Sequence, residues 1–165
     1  MGFTKEDMKT LMNKLQNDPN NKYDFDYYNG EQDPFTWRTI IEGSEDTIYE
    51  NGYYMLKITF TEDYPNSCPS VQFMNKIFHP HVSSSGSACI HPESHDILSV
   101  LECVEEMFFY YDADLNHAYD QEPRKTLEND KKEGKNDFIR IAKEWVNQYA
   151  KKEDLVNFIK KNFSF

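Results

Sequence analysis

Between Tyr23 and Phe73 the chain alternates aromatic or aliphatic residues with polar ones, and turn-forming pairs interrupt the alternation every few residues. Tyr23, Phe25 and Tyr27 make the first run, closed by Asn29-Gly30. Phe35–Ile41 is the second, Tyr53–Phe60, entered through Asn51-Gly52, the third, and Val71–Phe73 a short fourth. Period two with short turns predicts hairpin-linked strands, because parallel neighbours need longer crossovers. The expectation is an antiparallel meander. Tyr64-Pro65 and Cys68-Pro69 exclude helix between the third and fourth strands and mark a rigid crossing.

Helical spacing brackets this meander. Over Thr4–Asn17, Met8, Leu11, Met12 and Leu15 share one face, and Thr4 with Asp7 can close a capping pair. Lys5, Lys9 and Lys14 fall off that stripe and make a basic strip. Towards the C-terminus, Ile97, Val100, Leu101, Val104 and Phe108 repeat at helical spacing behind Ser94 or Asp96 as cap. A second C-terminal helix is expected over Leu115–Arg124, a third over Asn136–Tyr149, and a short terminal one through Leu155, Phe158, Ile159 and Phe163. Helix, meander, irregular segment and helices in that order describe an α+β fold. With 165 residues and no dividing linker or repeat, a single domain over 1–165 is expected.

Charge and cysteine usage narrow the function classes. A net charge of −11 repels phosphate backbones, so no nucleic-acid partner is expected. No apolar run is long enough for a membrane span, so no membrane partner is expected either. Cys68, Cys89 and Cys103 form an odd set, and Met1–Lys14 lacks a signal-like apolar stretch. Both features point to a reducing compartment, cytoplasmic and/or nuclear.

One thiol stands apart. His79-Pro80-His81 leads through a Ser/Gly-rich stretch to Cys89, on a segment expected to lack regular structure from Phe73 to about Ile97. Structureless connections of that length are uncommon unless they serve function or are disordered. A loop thiol can act as a nucleophile, as a metal ligand beside His79, His81, His91 and His95, or as a small packed residue. The His/Cys spacing matches no paired zinc pattern, so no metal is expected. Cys68, beside Pro69, and Cys103, inside a helical stripe, are assigned to packing.

These segments resemble the ubiquitin-conjugating enzymes. The resemblance rests on Tyr49–Tyr54, Ile58–Pro65, Cys68–Phe73, Ile77–Val82 and Gly86–Ile90, with Phe138–Trp145 similar to the family's penultimate helix. It implies the family fold: N-terminal helix, four-stranded antiparallel meander, active-site segment and C-terminal helices. It also implies that Cys89 accepts ubiquitin or a ubiquitin-like modifier as a thioester, from which an amine or a ligase takes it. No cofactor is implied, since ATP is used by the upstream activating enzyme. By the same resemblance Lys5 and Lys9 meet that activating enzyme, His79 and Pro80 support the loop, and Asp112 or Asp114 forms an acidic gate with His117 as a base.

Three departures stand out. His81 occupies the position of the family's Asn, whose amide braces the loop or the oxyanion. A Trp-Ser-Pro-like stretch is missing, replaced by His91–Val100, and Asn66 stands at an apolar ligase contact; a ligase would meet a non-standard surface. Residues 151–165 extend past the family's minimal domain, to cap the core or bind a partner. The alternative function is a non-catalytic adaptor of the same fold that binds ubiquitin or a partner conjugating enzyme.

Overall fold

Thr4 starts the first helix by a reciprocal cap. Its hydroxyl accepts the Asp7 N–H at 3.1 Å while the Asp7 carboxylate accepts the Thr4 N–H at 2.8 Å. The computed structural model describes residues 2–163. Ser164 and Phe165, the end of the expected extension, lie outside the described residues. The first helix, α1 (Lys5–Gln16), buries Met8, Met12 and Leu15.

The meander follows as β1 (Asp26–Tyr27), β2 (Thr36–Glu42), β3 (Tyr53–Thr59) and β4 (Ser70–Phe73). They lie in the order β1-β2-β3-β4, every neighbouring pair antiparallel. Register is set by pairs such as Ile40–Met55 and Leu56–Phe73. The first strand is shorter than its alternation suggested. Phe25 instead leaves the ladder to pack on Trp37, and the Tyr23 hydroxyl donates to Glu105. Trp37 is fully buried, with its indole N–H donated to Pro34 O at 2.8 Å.

Alternation along β3 supplies both faces of the sheet. Tyr54, Leu56 and Ile58 enter the main core with side chains of α1 and the C-terminal helices. Met55, 0% exposed, joins a separate cluster with Leu155 and Ile159. Those two belong to α5 (Lys152–Asn162), which covers the second sheet face.

The C-terminal part begins with α2 (Ile97–Phe109), where Asp96 caps by accepting from Leu98 and Ser99 N–H. The helix expected over Leu115–Arg124 is not formed there. A 3-10 turn covers Leu115–His117, and α3 spans Glu122–Glu133. It has Pro123 in its first turn and Gly134 in left-handed conformation at its end. Next is α4 (Asp137–Tyr149). The buried Asp130 carboxylate of α3 accepts the Phe138 N–H at 2.8 Å and so starts α4. Among the described residues no helix is long and apolar enough to cross a membrane.

Candidate active site

The segment after β4 is irregular in dihedral pattern but held along its length. It doubles back on the sheet edge: Phe73 N–H donates to Gly86 O at 2.7 Å and Ala88 N–H to Val71 O at 3.0 Å. Isolated bridges join Gln72 to Ser87 and Val82 to Ala88. As expected, no helix or strand lies between β4 and α2, and within that stretch a tight Ser83–Ser87 turn is laid against β4. Gly86 has φ +93°, and a Cβ there would stand 2.1 Å from Phe73 O. Gly86→Ala should therefore lower unfolding free energy by about 2–4 kcal/mol, strain and backbone clash together. An unchanged urea midpoint would refute this.

His79 is the internal anchor of the segment. It is 0% exposed, its Nε2 donates to Met107 O at 2.7 Å, and its Nδ1 accepts the His81 N–H at 3.0 Å. Only the neutral ring tautomer satisfies both partners. Burial, with help from nearby His81, pulls its pKa down to about 3 although the bond to Met107 pushes the other way. The Tyr49 ring packs beside it and donates its hydroxyl to Phe78 O at 2.7 Å. Pro80 O accepts the Tyr119 N–H at 3.1 Å, tying the segment to the chain after the 3-10 turn.

His81 reaches across to the same turn. Its Nε2 lies 2.7 Å from Ala113 O, and because a carbonyl only accepts, that nitrogen carries the proton. The His81 carbonyl in turn accepts the Cys89 N–H at 2.8 Å. Imidazole here braces the thiol-bearing backbone against the turn beyond α2.

Cys89 is half-buried in an open groove whose walls include His81, His91, Cys103, Glu106, Asp114 and His117. Of the expected gate residues, Asp114 and His117 line this groove, while Asp112 is exposed and outside its lining. Asp114 itself sits in left-handed backbone (φ 51°), a conformation its short polar side chain tolerates. Cys103 is not simply packing, as its helical stripe suggested; it forms part of the groove wall. Burial raises its thiol pKa, offset in part by the His91 backbone N–H. Tyr119 is near enough for Cys89, second to burial, to raise the phenol.

Sequence reasoning missed His91 as a site residue. Its Nε2 lies 3.7 Å from Cys89 Sγ, within reach of a hydrogen bond to sulfur. The signal was its position two residues after the thiol, which on extended backbone turns both side chains to one side. Among the described residues no three His, Cys, Asp or Glu side chains converge as a metal site. Lys5 is exposed on α1, Lys9 lies 3.6 Å from Glu6, and neither lines the groove.

Comparison with known proteins accords with this arrangement. Residues 4–146 match a family model described as "Ubiquitin-conjugating enzyme". The chain is 35% identical over 83 residues to "Ubiquitin-conjugating enzyme E2 1" of Caenorhabditis elegans, covering 47% of this chain and 43% of that protein. It is 36% identical over 78 residues to "Ubiquitin-conjugating enzyme E2 2" of Candida glabrata, covering 44% and 47%. The chain thus spans less than half the length of these curated relatives. The family match itself runs from the Thr4 cap into the last turn of α4, across the whole meander and the Cys89 groove, and the chain belongs to the ubiquitin-conjugating enzyme family.

Proposed function

We infer that this chain carries ubiquitin or a ubiquitin-like protein as a thioester on Cys89 and delivers it to a substrate amine or to a ligase. The observation that carries this reading is the half-exposed Cys89 in an open groove, on backbone fixed by the His79–His81–Ala113 bonds. A fixed thiol beside an open approach suits acyl transfer between two large partners, where orientation supplies much of the rate. The activating energy arrives in the incoming thioester, so the site needs no cofactor; ATP is consumed by the activating enzyme upstream.

The remaining roles follow from placement. His81 braces the Cys89 backbone, with His79 and Pro80 as its supports. Asp114 attracts the cationic amine to the groove; after that amine gives its extra proton to water, its nitrogen attacks, His117 takes the proton the new amide releases, and Cys89 leaves with the C–S bonding electrons. Lys5 and Lys9 offer α1 to an acidic face of the activating enzyme. A ligase would approach the turn closed by His95, whose Nδ1 donates to Asn66 O at 2.9 Å. The cytoplasm or nucleus would keep the three thiols reduced.

The test is incubation with an activating enzyme, ATP and each modifier of a full panel. An adduct that reductant removes and peptide mapping places on Cys89 is the expected result. If no modifier charges the protein, the carrier reading falls and the adaptor reading replaces it.

A further inference from the structure

The imidazoles around Cys89 are not equivalent. His79 has both nitrogens engaged inside the fold, and His81 holds its Nε2 proton on Ala113 O. His117 lines the groove from the 3-10 turn without a hydrogen bond to the thiol. Among the described imidazoles, His91 alone places a ring nitrogen in range of Cys89 Sγ, at 3.7 Å. Its residue is exposed, so a proton taken there can pass to water. Its backbone is not loose, because the His91 N–H faces the Cys103 thiol on α2.

Charge around the pair also matters. Glu106 from α2 and Asp114 from the turn face the groove, on a chain of net charge −11. Both carboxylates repel negative charge as it develops on the sulfur. Cys103, His81, His117 and the Tyr110 and Tyr119 phenols complete the titratable surroundings, and none of them is a fixed cation. A thiolate on Cys89 therefore needs a local proton acceptor.

The geometry points to His91 as that acceptor, a catalytic residue for loading Cys89. This rests on the carrier reading above. The Cys89 S–H proton moves to His91 Nε2 as sulfur attacks the thioester carbonyl carbon of the modifier. A new C–S bond forms to Cys89 and the bond from that carbon to the activating enzyme's sulfur breaks. The departing thiolate keeps the bonding electrons and takes that proton from the imidazolium, directly or relayed by water, which leaves His91 neutral.

The test reads the thiol directly. Native protein, His91→Gln and His91→Asn are alkylated with iodoacetamide at pH 7 and pH 10, and each cysteine is followed by peptide mass. At pH 7 the variants should alkylate Cys89 about tenfold more slowly, the loss expected when one favourable charge partner of a thiolate is removed. At pH 10, where hydroxide does the deprotonation, rates should match, and Cys68 and Cys103 should be unaffected at both. Equal Cys89 rates at pH 7, or an equal loss at pH 10, would overturn the proposal. Loading by activating enzyme at pH 7 should fall with the alkylation rate. If the native protein accepts no modifier, the carrier reading fails while the alkylation result still decides whether His91 accepts the thiol proton.

Discussion

Cys89→Ala should carry no modifier at all, and Cys89→Ser should accept it slowly as an adduct that survives reductant. A thiol is partly ionised near neutral pH, whereas an alcohol is not, so serine attacks a thioester far more slowly. Once formed, an oxygen ester resists thiols, so the serine adduct would persist where the native one disappears. Loss of loading by more than about a hundredfold in the serine variant is expected, the scale on which nucleophile identity acts. Neither substitution should disturb the fold. Cys89 is only half-buried, and its N–H bond to His81 O involves backbone alone. Gel assays under reducing and non-reducing conditions, with urea melts as control, would check both variants. An undiminished reductant-sensitive adduct in Cys89→Ala would move the acceptor role to Cys103, the other thiol of the groove.

What the sequence disclosed depended on whether a residue's partners were local. Thr4 and Asp7 lie three apart, so the α1 cap was legible from spacing. The β2 alternation, and the stripes of α2 and α4, announce one buried face each. By contrast, α3 buries only Leu127 and Asp130, and a helix polar nearly all round leaves no stripe to read. Its Pro123 and Gly134 boundaries were the available signal. The Cys89 approach looked unstructured because its order comes from backbone bonds to β4, which leave no side-chain pattern. Leu155 and Ile159 sat on an apolar stripe, but that they cover Met55 is a tertiary fact.

The site was legible in the same graded way. Cys89 and the His79-Pro80-His81 approach stood out as a linear motif. Asp114 and His117 were placed by the family resemblance, and both reach the groove. Cys103 becomes visible only when α2 is packed beside the loop, since its importance lies in a shared wall. His81 shows the same limit: its identity was plain, but its bond to Ala113 joins positions far apart in the chain.

His79 should prove the most costly residue to replace outside the aromatic core, and its effect should depend on pH. His79→Ala removes a buried ring and leaves Met107 O and the His81 N–H without partners. Each orphaned group costs about 1–3 kcal/mol, so a loss of about 3–5 kcal/mol is expected once the cavity is included. The acid dependence has a definite sign. In the fold the ring stays neutral down to about pH 3, whereas in the unfolded chain it binds a proton below its ordinary value of 6.5. Between those limits the unfolded state holds the extra proton, so native stability falls as pH falls, by about 1.4 kcal/mol per pH unit. Above the window neither state is protonated there, and the contribution is constant. Asp33 and Asp96, whose pKa values hydrogen bonds lower, weaken the fold in the same direction, but they are shared with any variant. His79→Gln, which keeps an amide donor and acceptor without a titrating ring, isolates the histidine. Urea unfolding of both proteins at pH 7 and 4.5 should show the native protein losing about 3 kcal/mol more than the glutamine variant. Parallel losses would mean that the ring is protonated inside the fold, and the bond from His81 N–H to its Nδ1, on which the Cys89 backbone is braced, would have to be discarded.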